Sequence, residues 1–172
     1  GNLNYTTPGL TALLTLSGDD QKLDFPGGRL VDPSIGLDEL ATDRRGAATP
    51  FDYGNQQGAN ATAGFTKTLM NGVDLIVDGG VRDKKQQAGF FGLLPTIPFN
   101  YVDSHLQTWS ITPRLSIKNV IFGMPSAILT GVDYYDATYH SERPVAKGMI
   151  PIHTYDLSQQ TLAGYFQQTI GL

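Results

Sequence analysis

The feature that most constrains this chain is a pair of alternating runs joined by Asn71-Gly72. In the first run Ala59, Ala61, Ala63 and Phe65 share one parity, and Asn60, Thr62, Gly64, Thr66 and Thr68 share the other. In the second, Val73, Leu75, Val77, Gly79 and Val81 alternate with Asp74, Ile76, Asp78, Gly80 and Arg82. A sustained period of two fits a strand with one apolar face and does not fit a helix. Asn-Gly between two such runs signals a hairpin, because a type I′ turn needs positive φ at both central residues. A third run sets Trp109, Ile111, Pro113, Leu115 and Ile117 against Thr108, Ser110, Thr112, Arg114 and Ser116.

Turn signals divide the rest of the chain in the same rhythm. Strands are expected at Leu10 to Phe25, Gln56 to Met70, Val73 to Phe91, Ser104 to Lys118, Ala127 to His140 and Ile152 to Leu172. The Pro8-Gly9 turn leads into the first of them. Gly- and Pro-rich stretches at about 26–55, 92–104 and 141–151 read as long loops, whereas Asn71-Gly72 and NVIFGMPS read as short connections. Short and long connections therefore alternate, which in a meander puts all the long ones at one end. The expected fold is all-β, an antiparallel up-and-down meander of about six long strands forming a single segment, 1–172. Globular strands run to about 5–6 residues, and about 9–11 cross a bilayer, so these lengths favour a membrane barrel over a soluble sandwich. The register past Gly79-Gly80 is open, since paired glycines are a common place for a bulge.

Composition removes several function classes. A net charge of −4 and a pI of about 5.1 argue against general nucleic-acid binding, and the paired cations Arg44-Arg45 and Lys84-Lys85 are too short for a basic patch. The absence of cysteine excludes disulfides, thiolate metal sites and cysteine nucleophiles. No apolar run approaches the ~20 residues of a spanning helix, which leaves strands that are only half apolar open. HExxH, GxSxG, P-loop and helix-opening GxGxxG motifs are all missing, so the chain is not expected to be an enzyme or to need a cofactor. His105, His140 and His153 fall at expected strand ends with no metal-ligand spacing, and read as surface residues. Asp74, Asp78, Asp83, Asp133 and Asp136 fit cross-strand hydrogen bonds better than an acid–base pair. Asp19-Asp20 with Asp24 reads as a solvated strand end rather than a calcium site.

Several stretches resemble the barrel of TonB-dependent outer-membrane receptors of the siderophore and iron-complex class. They are GGRLVDPSIGLDELATDRRGAATPFDYGNQQGANATAGFTKTL, IVDGGVRDKKQQAGFF, ITPRLSI, LTGVDYYDATY and the final YDLSQQTLAGYFQQTIGL. The order of these elements and the strand–loop rhythm between them carry the resemblance. It implies a barrel of about 22 strands around a plug, so the chain is expected to be an internal piece of such a receptor in the outer membrane. It also implies uptake of a ferric siderophore or similar scarce ligand, energised by the TonB complex through a plug domain outside this chain. Outer loops and the upper lumen would take the ligand, and aromatics and arginines suit that task. The candidates are Arg29, Arg44, Arg45, Phe51, Tyr53, Phe90, Phe91, Phe99 and Tyr101. Ala61, Phe65, Val77, Trp109, Ile111 and Leu115 would face outer-membrane lipid, with Trp109 and tyrosines also suited to an interfacial girdle. A soluble β-rich binding module, for carbohydrate or another small ligand, and a passive porin-type barrel are the alternatives.

Overall fold

The computed structural model describes residues 1–27, 46–91 and 100–171. Seven strands follow one another: β1 (Asn2–Thr7), β2 (Leu10–Asp24), β3 (Tyr53–Met70), β4 (Val73–Phe90), β5 (Asn100–Ile121), β6 (Met124–Arg143) and β7 (His153–Ile170). Each pairs antiparallel with the next in a single sheet, in the order β1-β2-β3-β4-β5-β6-β7. The up-and-down meander is as expected, but it has seven strands instead of six. The additional strand is β1, whose NLNYTT is too short and too polar for its alternation to stand out. The strands also reach further than turn residues implied: β3 begins at Tyr53, β5 at Asn100, and β6 runs on to Arg143. Backbone hydrogen bonds to neighbours hold these polar ends extended where side-chain pattern says little.

The turns correct two expectations. At Asn71-Gly72 only Gly72 has positive φ (76°), and the register slips between Thr68 and Met70. This turn is therefore a bulged hairpin and not type I′. The tight turn with positive φ at both positions is Phe122-Gly123 (52° and 80°), inside the stretch expected to be a looser connection. Strands β5 and β6 run right up to it and pair Ile121 with Met124. Pro8-Gly9 joins β1 to β2 with positive φ on the glycine, as Pro-Gly turns require. No bulge occurs at Gly79-Gly80, since both ladders of β4 keep register through it. The β5–β6 ladder instead skips Thr112 and Pro113 and resumes unchanged at Arg114 opposite Gly131, because proline has no N–H to offer.

Directly paired residues share a face, so the register assigns every side chain to one of two surfaces. One surface carries Leu14 and Leu16 of β2, Ala61 and Phe65 of β3, Val77 and Val81 of β4, and Trp109, Ile111 and Leu115 of β5. It continues through Ile128 of β6 to Leu162 and Phe166 of β7. The other surface carries Thr11, Asn60, Thr62, Asp78, Arg82, Ser110, Arg114 and Tyr135 in the same rows. Nothing among the described residues packs over either surface. Phe65 is 39% exposed, Ile111 48% and Trp109 53%, while Ala61, Val77 and Leu115 are half-buried by their neighbours in the sheet. The one buried large apolar side chain among the described residues is Tyr101. The molecule therefore has no core of the two-layer kind. Most large apolar side chains of the described strands line one face of a single layer, with Leu13, Leu23, Ile76, Leu106, Leu129 and Leu157 scattered over the other.

The apolar band crosses the strands obliquely. The row through Trp109 reads Leu16–Ala61–Val81–Trp109 and then turns polar at Asp136 and Gln160. On β6 and β7 apolar residues begin lower, at Val132 and Leu162, and continue to Ile128 and Phe166. The turns descend in the same direction: Thr7–Leu10 closes level with Leu115, Val73 opens level with Ile117, and the last hairpin closes at Ile121–Met124. A band oblique to the strand rows is what tilted strands need if the band is to lie level around a barrel.

Candidate ligand site on the polar face

The polar face is held by cross-strand contacts that use the two-residue period directly. Asp78 pairs with Arg114 on the next strand, and Thr112 Oγ1 donates to the Asp78 carbonyl at 3.3 Å. Further toward the long connections, Gln86 Nε2 donates to Gln56 Oε1 and Gln56 Nε2 to Asp19 Oδ2, both at 3.1 Å. Between these two groups stand Asn60 and its partner Arg82, with Lys84 one step above. Gly58 leaves room here, and a cleft of about 370 Å³ opens among Ser17, Asp19, Gln56, Asn60, Arg82 and Lys84. Among the described residues neither Arg82 nor Lys84 is engaged in an ion pair. Two available cations and the Asn60 amide can take the oxygens of an anionic ligand, while Gln56 holds the Asp19 carboxylate at the edge of the cleft.

A second cleft of about 460 Å³ lies lower on this face, over Gly64, among Thr62, Thr66, Asp78, Ser110 and Tyr135. Toward β7 the same face becomes aromatic: Tyr135, Tyr139, Tyr155 and Tyr165 all project from it, with the Arg143 guanidinium 5.5 Å from the centre of the Tyr155 ring. Tyr165 lies across its partner Gly131, where a Cβ would stand 2.7 Å from the Tyr165 hydroxyl and 2.7 Å from the Pro113 carbonyl.

The aromatic residues named from sequence do not converge on one site. Arg29, Arg44, Arg45 and Phe99 lie outside the described residues. Phe51 is exposed in the turn before β3. The remaining four divide between the two faces. Phe90 stacks on Phe25 at 6.2 Å over Gly54 on the polar face, whereas Tyr53 stacks on Phe91 at 6.2 Å over Gly89 on the opposite one. Tyr101, paired with Gly89, is 3% exposed, and its hydroxyl is buried without a hydrogen-bond partner. Burial first, then the charge of Asp103 and the neighbouring Tyr53, push its phenol up to about 12. The Phe91 amide donates to Asp52 Oδ1 at 2.6 Å, which ties the end of β4 to the start of β3. Sequence reasoning did not single out Phe25, Asp52 or Arg82, and set Lys84 aside as half of a short cation pair. The signal for the aromatics was a glycine opposite each ring; for the cations it was their parity with Asn60 and Thr62.

Several other polar groups make cross-strand contacts. His105 contacts Asp83 and His140 contacts Asp156, each at 2.6 Å, and Glu142 lies 3.5 Å from His140. These pairs stand on the banded face above its apolar part, while His153 pairs with Arg143 on the polar face. No group among the described residues could hold a metal ion. Asp74 accepts from Thr68 at 2.8 Å and Asp136 from Gln160 at 2.8 Å. Asp19 and Asp20 point to opposite faces, so the acidic strand end forms no cluster.

No family model matches the sequence, and no curated protein matches it. The chain superposes on the crystal structure of the ferric citrate transporter FecA in its unliganded form with a TM-score of 0.75 at 16% identity. The match covers 98% of this chain and 26% of that one, so this chain spans about a quarter of the transporter's length. The fold is that of a β-barrel segment, an antiparallel up-and-down meander shared with part of that transporter.

Proposed function

We infer that the chain forms part of the wall of a TonB-dependent outer-membrane receptor that imports a ferric siderophore or similarly scarce chelate. The observation that carries this reading is the two-faced single layer, with an oblique apolar band on one side and the cationic cleft of Arg82 and Lys84 on the other. In this reading Ala61, Phe65, Val77, Trp109, Ile111 and Leu115 meet lipid. Asn60, Gln56, Arg82 and Lys84 face the lumen, where the donors of Asn60, Arg82 and Lys84 attract an anionic chelate. Arg29, Arg44, Arg45, Phe51 and Phe99 would take part in binding it, and a plug domain outside this chain supplies the TonB contact. A soluble binding module would cover its band, and among the described residues nothing does.

Uptake of radiolabelled ferric citrate and ferric hydroxamate chelates by cells expressing the complete receptor tests this. Uptake should stop when TonB is deleted, and Arg82→Ala with Lys84→Ala should weaken binding by roughly tenfold or more, as for charge-assisted hydrogen bonds worth about 1.5–3 kcal/mol. Transport that survives loss of TonB would make the barrel a passive pore. A product that stays in the aqueous phase without detergent would remove the membrane reading altogether.

A further inference from the structure

The β5–β6 turn contains the only non-glycine residue with positive φ among the described residues, Phe122 at 52°. That conformation is unfavourable for a bulky L-residue, and Asn, Asp or Gly is the ordinary occupant of this turn position. Among the described residues the fold returns nothing for it: Phe122 is 96% exposed and its ring has no partner there. A large apolar side chain that is both strained and bare points to a contact outside the chain.

The surroundings say what that contact is. Ile121 and Met124 pair on the banded face immediately before and after the turn, with Asn119–Ser126 and then Ile117–Ile128 above them. Val120 and Pro125 pair with each other on the opposite face at the same tip and are exposed. On β5 and β6 the apolar band thus descends to the turn itself. At the other end of these strands the same face passes into His105, His140 and Glu142, with Asp83 and Asp156 on their neighbours. The short-turn border is greasy and the long-connection border is charged.

The geometry points to Phe122 as a lipid anchor, its ring seated at the headgroup–acyl boundary of the leaflet on the short-turn side. Ile121 and Met124 carry the contact into the hydrocarbon. Lipid is the occupant because the tip is continuous with the band that the proposed function already turns toward the bilayer, and this inference rests on that reading. Rings at this depth hold a strand's vertical position, so the anchor sets how deep the β5–β6 hairpin sits.

The test uses the complete receptor on a cysteine-free background in phosphatidylcholine vesicles, with nitroxides attached singly at Trp109→Cys and Met124→Cys. Contact with dissolved oxygen is compared with contact with a water-soluble nickel chelate. The label at 109 should be reached by oxygen and shielded from the chelate. The label at 124 should be shielded beside Phe122, equally shielded beside Phe122→Trp, and opened to the chelate by Phe122→Asn. Asparagine suits the turn, so that variant folds. If the label at 109 is in lipid but the label at 124 is indifferent to Phe122→Asn, or is wet already, the anchor is overturned while the barrel stands. If the label at 109 is itself wet, the lipid-facing band fails and the anchor with it.

Discussion

The two faces of this sheet share every backbone hydrogen bond and differ only in side-chain parity, yet they are suited to different solvents. Val77 and Asp78 are neighbours in sequence. One lies among Phe65 and Pro113, while the other pairs with Arg114 beside Thr112. Ile111 and Thr112 divide in the same way. The difference shows that what sets a position's chemistry here is not depth below a protein surface, since almost nothing is deep. It is which side of one layer the residue takes. A soluble protein resolves such asymmetry by folding the apolar side onto a second layer. Among the described residues nothing covers it, and a contiguous exposed apolar surface of that extent marks a membrane or partner contact.

The most direct way to break the comparison is to put the same charge on adjacent residues. If the proposed function holds, Ile111→Lys, in the middle of the band, should destabilise the protein in lipid by about 2–4 kcal/mol. Thr112→Lys, one residue on and facing the lumen, should cost under about 1 kcal/mol, since lumen substitutions tune selectivity more than stability. Denaturant unfolding in vesicles measures both, and equal costs would mean the faces are not in different solvents. A second substitution probes the polar face alone. Gly131→Val drives a side chain into the Pro113 carbonyl and the Tyr165 ring, and should cost about 1–3 kcal/mol as overpacking does. A stable Gly131→Val variant would show that the β6–β7 edge is loose.

The smallest effect lies where the banded face leaves its apolar part. The Asp156 carboxylate hydrogen-bonded to His140 holds this imidazolium above the usual histidine value of 6.5; desolvation opposes the shift and Glu142 reinforces it. A raised value means the contact contributes fully below pH 6.5 and fades as pH climbs through the elevated value. Asp156→Asn should bring the His140 titration, followed by NMR, down toward the ordinary value. An unchanged midpoint would assign the shift to Glu142 instead.

The alternation of Ala59 to Phe65, Val73 to Val81 and Trp109 to Ile117 determined the strands, their faces and the meander. Period two survives whatever the strand pairs with, and a short turn leaves an antiparallel neighbour as its only simple partner. Turn residues were less informative. Asn71-Gly72 marks a hairpin, but its bulge depends on how Thr68 and Met70 meet β4, and Phe122 gives no sign in sequence of a left-handed turn. Tertiary structure alone decided the rest. It placed Arg82 beside Asn60 next to a gap left by Gly58, and it put Phe90 on one face and Tyr53, Phe91 and Tyr101 on the other, with the ring pairs over Gly54 and Gly89. It also set the band oblique to the strand rows. Each of these depends on register between strands, which is fixed by backbone hydrogen bonds across the sheet and by the fit of large side chains against glycines opposite them.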